Sequence, residues 1–201
     1  MPNPKYLPCL PTRGTKVPAR PEWLHEIKHD GYRLIVHRDG KRVRMLTRNG
    51  LDWTDRFPLI REAALRHRSA SFVLDGEAVL LGVDGRSDFN GLHSRRHNDE
   101  VQLYAFDLLA ADGEDLRRLP LHLRKSALAR LLARRVDGIH VAPYEQGEMG
   151  PELFRAACDM ALEGLVSKHR ERPYRAGRCD HWIKVKNRSH PSFERVKDSF
   201  T

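Results

Sequence analysis

The stretch Lys28-His29-Asp30-Gly31-Tyr32-Arg33 carries the most informative structural pattern in the sequence. Asp30-Gly31 followed by the β-rich run 32–36 is typical of a turn that leads into a strand. Lys28 precedes that turn, where its side chain can face a bound ligand at close range. A lysine amine is an effective covalent nucleophile once its proton is removed and its target is held in place. The stretch therefore predicts a nucleophile on a loop at the lip of a sheet.

The sequence on either side alternates between strand and helix patterns. The clearest pattern is a hairpin of residues 32–38 and 41–47, joined at Asp39-Gly40. Further strands are predicted at 23–29, 71–81, 102–109, 165–169 and 181–186, and helices at 56–67, 121–134, 151–162 and 189–199. Residues 1–21, which are rich in proline, are expected to form an extended lead-in on the surface. We therefore expect a single domain over residues 1–201 with an α+β fold, in which helices flank antiparallel β-sheets.

The bulk composition is that of a folded, basic domain. A hydrophobic content of 40% allows a core, and the chain lacks the run of ~18 apolar residues that a membrane helix needs. Residues 1–6 contain no apolar signal core, so secretion is not expected. The net charge of +9 would attract a polyanion such as nucleic acid, although an arginine-rich genome composition explains the charge equally well.

Patterns for metal binding are weak. His25-Glu26-Ile27-Lys28-His29 matches the zinc-protease pattern, but that chemistry needs a helix, and this run alternates like a strand. In a strand the two histidines would lie ~13 Å apart, too far for one zinc ion. The three cysteines, Cys9, Cys158 and Cys179, show no Cys-x-x-Cys spacing, so the sequence predicts neither a zinc site nor a disulfide framework. We expect reduced thiols.

Five further segments follow the lysine motif in a fixed order. They are Thr47-Arg48-Asn49-Gly50, Leu74-Asp75-Gly76-Glu77, Tyr104-Ala105-Phe106-Asp107, Glu163-Gly164-Leu165-Val166-Ser167-Lys168 and Trp182-Ile183-Lys184-Val185-Lys186. Together with the first motif they resemble the nucleotidyltransferase motifs of ATP-dependent DNA ligases, and most nearly the ligase modules of bacterial end-joining systems. The resemblance extends from about residue 8 to residue 186. It implies the ligase and capping-type nucleotidyltransferase (ATP-grasp-like) fold.

The resemblance also implies a reaction. Lys28 would attack the α-phosphate of ATP, release pyrophosphate and form a lysyl-AMP phosphoramidate. AMP would then pass to the 5′-phosphate of DNA at a nick or an end, and the 3′-hydroxyl would displace it, in DNA repair or recombination. Glu163 matches the family's ligand for Mg²⁺ or Mn²⁺, a role that suits a carboxylate beside phosphate oxygens.

The family's nucleotide contacts can be carried over one by one. Phe106 would stack on adenine and Glu26 would lie beside it, although a phenylalanine in this pattern is usually a core residue. Glu77 would accept hydrogen bonds from the ribose, the alternative being a surface glutamate.

Basic residues complete the implied site. Lys184 and Lys186 alternate with Val185 and so share one face of a strand, where they would contact the α-phosphate. Their positive charge would also help to deprotonate a neighbouring lysine. The alternative is that they are exposed lysines of an edge strand, where lysine is common because it prevents pairing with another strand. Arg33 and Arg48 match arginines near the ribose and the bound DNA phosphate; for Arg48 an exposed hairpin charge is an alternative. Lys168 would contact a DNA phosphate or be a surface charge.

The chain departs from the family after Lys186. Ligases of this family continue into an oligonucleotide-binding (OB-fold) β-barrel. Residues 187–201 are instead predicted to form one helix, in which Phe193, Val196 and Phe200 have the spacing of residues on one helix face and could pack onto the domain. A separate clamp protein, a shortened gene product and a non-sealing binding protein are competing explanations. We expect a cytoplasmic, nucleoid-associated bacterial monomer. The competing functions are a non-catalytic nick- or nucleotide-binding module and an RNA ligase or capping-type nucleotidyltransferase.

Overall fold

Two β-sheets dominate the computed structural model, which describes residues 6–134 and 136–195. In these ranges the strands are β1 (Cys9–Arg13), β2 (Trp23–Ile27), β3 (Tyr32–Asp39), β4 (Arg42–Thr47), β5 (Ser71–Val79), β6 (Gln102–Ala111), β7 (Glu114–Asp115), β8 (Ile139–Val141), β9 (Tyr144–Gln146), β10 (Gly164–His169) and β11 (Gly177–Lys186). The helices described there are α1 (Pro58–Arg66), α2 (Phe89–Ser94), α3 (Leu121–Leu131), α4 (Gly150–Asp159) and α5 (Ser192–Arg195).

The two sheets are largely antiparallel. The first has the strand order β1-β11-β10-β2-β9, and the second has the order β4-β3-β5-β6-β7, with β8 attached to β6. Only the β1–β11 and β6–β8 pairs are parallel among the described strands. Helices α1 and α3 pack against the second sheet, and α4 packs against β10 of the first. The α+β class with antiparallel sheets is therefore confirmed.

Local sequence explains why the central strands form where they do. The hairpin of β3 and β4 pairs Asp39 with Arg42 around Gly40, whose φ of 57° suits a glycine at the turn. Gly164 at the start of β10 has a φ of 138°, and a Cβ there would lie 2.1 Å from the carbonyl oxygen of Val185. This position therefore requires glycine if β10 and β11 are to approach each other, which places Glu163 at the lip of the sheet.

Two hydrophobic clusters hold the sheets in place. The larger one lies between the second sheet and its helices and includes Leu34, Phe57 and Leu74. The smaller one contains side chains from both sheets, among them Ile35 and Trp182. The larger cluster fixes the helices on the second sheet, and the smaller one fixes the two sheets against each other, because apolar side chains are removed from water when these elements cover them.

Several elements differ from the sequence-based prediction. The expected lead-in contains β1, which pairs with β11 and is partly buried, so it is a sheet strand and not only a surface segment. The short elements α2, β7, β8 and β9 were not predicted, since two to six residues show too little periodicity to be recognised. Of the predicted final helix, residues 192–195 are helical, while Val196 and Phe200 lie outside the described residues. No helix in the described ranges is long and apolar enough to cross a membrane.

Candidate active site

A cavity of about 500 Å³ lies where the two sheets face each other. Strands β2, β10 and β11 of the first sheet and β3, β5 and β6 of the second all contribute to its walls. Eight side chains singled out from the sequence line it: Glu26, Lys28, Arg33, Arg48, Glu77, Phe106, Lys168 and Lys184. Of the remaining two, Glu163 contacts Lys28 at its edge, and Lys186 contacts Glu163. The fold therefore gathers residues from 26 to 186 into one place.

Lys28 is held at the lip of this cavity by an ion pair. Its backbone N–H donates to the carbonyl of Gly164 at 2.9 Å, which ties the motif to β10. Its Nζ donates to Glu163 Oε2 at 2.6 Å, and the other oxygen of Glu163 lies 2.9 Å from Lys186 Nζ. Burial would raise the pKa of Glu163, but the two ammonium groups hold it below its ordinary value. Glu163 is thus an ionised carboxylate that bridges the candidate nucleophile and a second lysine.

Positive charge is concentrated on one side of the cavity. Burial lowers the pKa of Lys184, and the nearby charges of Lys28, Arg48 and Lys186 lower it further. Arg48 is exposed at the cavity mouth. Cations that repel one another in this way are stabilised when an anion binds among them. The arrangement therefore suits a phosphate group placed next to Lys28.

Glu77 provides a carboxyl group on the opposite wall. It lies on β5 directly across from Arg33 of β3. Burial raises the pKa of Glu77 to about 7, even though the charges of Lys28 and Arg33 oppose the shift. A carboxyl group with this pKa is partly ionised at neutral pH and can either accept or donate a hydrogen bond.

Aromatic side chains form an apolar surface inside the cavity. Phe106 packs edge-on against Trp182 with ring centroids 6.0 Å apart. The ammonium of Lys168 lies 3.9 Å from the Phe106 ring centroid, and the guanidinium of Arg33 lies 4.8 Å from it. Flat aromatic faces flanked by cations are suited to a planar, electron-rich ring such as a purine.

Arg33 has a strong partner of its own. Its Nε and Nη2 donate to the two oxygens of Asp75 at 2.7 and 2.6 Å, and Asp75 is fully buried. Burial would lower the pKa of Arg33, but the Asp75 carboxylate holds it above its ordinary value. Tyr174 adds a third hydrogen bond to Asp75, 2.6 Å long. Arg33 thus lines the cavity with two of its five N–H donors bonded to Asp75, which leaves fewer for the ribose contact expected from the sequence.

Lys168 lies in a buried ion cluster. Its Nζ is 2.6 Å from Glu26 Oε2, and Lys125 Nζ is 2.5 Å from the other oxygen of the same carboxylate. Burial would raise the pKa of Glu26, but the two lysines hold it below its ordinary value, while burial lowers the pKa of Lys168 to about 8. The interpretation of Lys168 as a surface charge is wrong, because only 2% of the residue is exposed. A DNA contact by Lys168 stays a prediction, and its burial does not favour it.

Sequence reasoning missed some contributors to this site. Lys125 on α3 pairs with Glu26 although the two residues are distant in sequence. Asp75 belongs to a recognised motif, but its role as the partner of Arg33 was not foreseen. No local pattern reports such pairs, since a buried lysine on a helix looks like a surface lysine until its surroundings are known.

The run that matches the zinc-protease pattern lies partly in a strand and not in a helix. His25 lies in β2, with Nδ1 2.8 Å from Ser167 Oγ and Nε2 2.9 Å from the carbonyl oxygen of Gly147. Among the described residues neither His25 nor His29 belongs to a cluster of potential metal ligands. The predicted strand of residues 23–29 is thus present as far as Ile27 and includes His25, whereas His29 lies beyond its end.

The site fits the divalent cation that the family resemblance implies. Glu163 offers an ionised carboxylate beside the space where phosphates would lie, and Mg²⁺ prefers one or two carboxylates combined with phosphate oxygens. Both oxygens of Glu163 contact lysines, so an arriving cation would compete with Lys28 and Lys186 for them.

Known proteins resemble this chain over most of its length. Residues 15–186 match the family model described as ATP dependent DNA ligase domain. The multifunctional non-homologous end joining protein LigD of Pseudomonas aeruginosa is 37% identical over 172 residues, which cover 84% of this chain and 20% of that protein. A probable DNA ligase of Streptomyces coelicolor is 38% identical over 175 residues, covering 80% of this chain and 34% of its own length.

Solved structures show the same likeness. The structure of mycobacterial DNA ligase D complexed with ATP and MES has a TM-score of 0.78 at 34% identity and covers 90% of this chain and 60% of that one. The ligase domain of Mycobacterium tuberculosis LigD gives the same values. The chain thus spans about a fifth to a third of the curated relatives it matches.

Proposed function

Because this chain belongs to the ATP-dependent DNA ligase family, we propose that it is an adenylation domain whose Lys28 accepts AMP from ATP. The relatives named as end-joining proteins and the relative solved with ATP support this reading. In the proposed role, residues 1–201 form a single nucleotidyltransferase domain, of which 15–186 match the family model, and end joining is its biological setting. AMP passes from Lys28 to the 5′-phosphate of a DNA nick or end.

One observation carries the proposal. The Nζ of Lys28 is 2.6 Å from Glu163, at the lip of a cavity that has cations on one side and an aromatic surface further in. A nucleotide that is oriented with its base on Phe106 and its phosphates among Lys184, Lys186 and Arg48 brings its α-phosphate toward Lys28. Such positioning supplies much of the acceleration in phosphoryl transfer, because little other chemistry is needed.

The proposed reaction begins with opening of the ion pair between Lys28 and Glu163. The ammonium of Lys28 must lose a proton before its nitrogen lone pair can attack. A nitrogen–phosphorus bond then forms, and the bond from the α-phosphorus to the pyrophosphate oxygen breaks. Lys184 and Lys186 stabilise the negative charge that grows on the phosphate oxygens. Mg²⁺ or Mn²⁺ held by Glu163 would neutralise further phosphate charge when bound.

Other residues have binding roles in the proposal. Glu77, in its ionised form, accepts hydrogen bonds from the ribose hydroxyls, and Glu26 is oriented toward the base by Lys125 and Lys168. Arg48, which is exposed at the cavity mouth, is the residue best placed to contact a DNA phosphate. Nick sealing with help from a separate clamp protein is a second step of the proposal that can be tested independently.

Incubation of the protein with α-labelled ATP and Mg²⁺, followed by a denaturing gel, tests the first step. We expect one labelled band for the wild type and none for Lys28→Ala. Lys41→Ala is the matched control, because Lys41 is an exposed lysine at the tip of the β3–β4 hairpin, and it should label like the wild type. Thermal melts of all three proteins show whether loss of label follows from unfolding.

Further arms separate the competing functions. Labelling with α-labelled GTP in preference to ATP would indicate a capping-type enzyme. Absence of label from the wild type, together with nick binding that survives Lys28→Ala, would indicate a non-catalytic binding module. Conversion of a nicked duplex to a sealed one, with and without an added clamp protein, measures the second step.

A further inference from the structure

Two cysteine thiols meet behind the candidate active site, although no sequence pattern pairs them. Cys9 on β1 and Cys179 on β11 are separated by 170 residues, yet their sulfur atoms lie 2.7 Å apart. Cys9 is 0% exposed and Cys179 is 2% exposed. The contact therefore depends entirely on the parallel pairing of the first described strand with the last.

We propose that Cys9 and Cys179 form an oxidative modification site, in which a peroxide converts the two thiols into a disulfide that ties β1 to β11. A disulfide needs its sulfurs ~2.05 Å apart, so the pair has to close by less than an ångström. The proposal rests on this contact and not on the function proposed for the cavity.

The alternative for this cluster is a metal ion. His181 lies nearby, and its ligand atom and the two sulfurs all fall within 4.8 Å of one another. A tetrahedral zinc ion with bonds of ~2.3 Å holds two sulfurs ~3.8 Å apart, which is wider than the observed contact. Zinc in structural sites also has four protein ligands, and the cluster in the described residues offers three. The geometry therefore favours the disulfide.

The environment of the pair suits stepwise oxidation. The hydrogen bond from the Cys9 thiol lowers the pKa of Cys179, and the same contact together with burial raises the pKa of Cys9. Cys179 is thus the member that forms a thiolate, which is the reactive species. A second cavity of about 810 Å³ is lined in part by Tyr174, Asp180 and His181, of which Asp180 follows Cys179 directly in the chain.

The reaction balances with hydrogen peroxide as the oxidant. The Cys179 thiolate attacks one peroxide oxygen, a sulfur–oxygen bond forms, the oxygen–oxygen bond breaks, and hydroxide leaves and is protonated to water. The sulfur of Cys9 then attacks the sulfenic sulfur, the disulfide forms, and a second water leaves with the Cys9 proton. The two thiols lose two electrons in total, and one peroxide is reduced to two waters.

The disulfide would stabilise the fold without filling the nucleotide cavity. Neither cysteine is among the described residues that line that cavity, whereas their strand neighbours Pro11 and Arg178 are. Closing a loop of this length removes much of the entropy of the unfolded chain, and a rise in Tm of about 10 °C is expected.

Intact mass spectrometry of the full chain provides the test. The protein is reduced, freed of reductant and metal, exposed to graded hydrogen peroxide, and then alkylated under denaturing conditions. We expect the oxidised chain to take up one alkyl group, on Cys158, where the reduced chain takes up three. Peptide mapping should show Cys9 linked to Cys179, and the oxidised protein should melt at the higher temperature.

Variants separate the pair from the third thiol. Cys158→Ser should form the disulfide as the wild type does, since Cys158 lies on α4 and has no part in the pair. Cys9→Ser should form no intramolecular disulfide, and its Cys179 should instead gain the mass of added oxygen, because the sulfenic acid meets no second thiol. The main comparison is between the reduced and the oxidised wild type. It is therefore valid even if a variant fails to fold.

Three results would overturn the proposal. The first is uptake of three alkyl groups by the wild type at peroxide concentrations that fully oxidise free glutathione. The second is oxidation that yields only dimers linked through Cys158. The third is retention of one equivalent of added Zn²⁺ by the reduced protein, lost in both Cys9→Ser and His181→Ala, which would assign a metal site instead.

Discussion

The carboxyl group of Glu77 gives the most quantitative prediction. Burial raises its pKa to about 7 from an ordinary value of 4.5. In the unfolded chain Glu77 loses its proton near pH 4.5, while in the folded chain it keeps that proton until about pH 7. Folding is therefore opposed progressively as the pH rises from 4.5 to 7, and the full penalty is present above pH 7.

The size of this penalty follows from the shift. Each pKa unit corresponds to ~1.36 kcal/mol. Between pH 5 and pH 8, titration of Glu77 therefore lowers the free energy of unfolding by about 2.5 kcal/mol if solvent does not screen the group. Glu77 is only partly buried, so we expect about 2 kcal/mol. Glu77→Gln keeps the shape and removes the titration. The difference in free energy of unfolding between the variant and the wild type should therefore be about 2 kcal/mol more favourable to the variant at pH 8 than at pH 5.

Urea denaturation at the two pH values measures this difference. Effects of the substitution that do not depend on pH cancel between them, which isolates the titration. Glu62→Gln is the control, because Glu62 is exposed on α1, and it should change stability by no more than ~0.5 kcal/mol at either pH. An equal effect of Glu77→Gln at pH 5 and pH 8 would refute the assignment of a raised pKa to this residue.

Two further substitutions test the surroundings of the cavity. Arg124→Met should cost about 3–5 kcal/mol in urea denaturation, because Arg124 and Asp107 form a fully buried bidentate pair at 2.8 Å and the change leaves a buried carboxylate without its cation. The control Arg61→Ala breaks an exposed ion pair with Asp55 and should lower the free energy of unfolding by less than ~1 kcal/mol. Similar losses of stability in the two variants would contradict this reasoning. Phe106→Leu should raise the ATP concentration for half-maximal labelling about tenfold, since stacking on a base contributes ~1–3 kcal/mol. Phe154→Leu on α4 should leave that concentration unchanged, and an unchanged value for Phe106→Leu would remove Phe106 from the base-binding role.

The parts of the fold that were predicted correctly are those with a long local signal. Strands β2 to β6 and helices α1, α3 and α4 each carry enough periodic or turn-forming residues to be recognised. Strand β1 was not recognised, because its pairing with β11 joins residues 170 positions apart and its prolines suggested an extended coil. The three-residue strands β8 and β9 carry no periodicity of their own.

The candidate site was predicted by residue type but not by partner. The motifs identified Lys28, Glu163 and Lys186, and the structure joins them through two ion pairs at 2.6 and 2.9 Å. No pattern in the sequence indicated that Arg33 binds Asp75. The roles of the motif residues in catalysis stay predictions that the labelling experiment tests.

The residue patterns alone were enough to predict the order of the motifs, the α+β class and the family, because backbone preferences and motif spacing depend on residues that are close together in the chain. The burial of Lys168 against Glu26, the raised pKa of Glu77 and the contact of Cys9 with Cys179 became visible in the folded structure. Each of these properties is produced by groups that lie more than 40 residues away in the chain or on another sheet. These groups contribute charge or exclude solvent. Such groups become neighbours only when hydrophobic burial brings the sheets together.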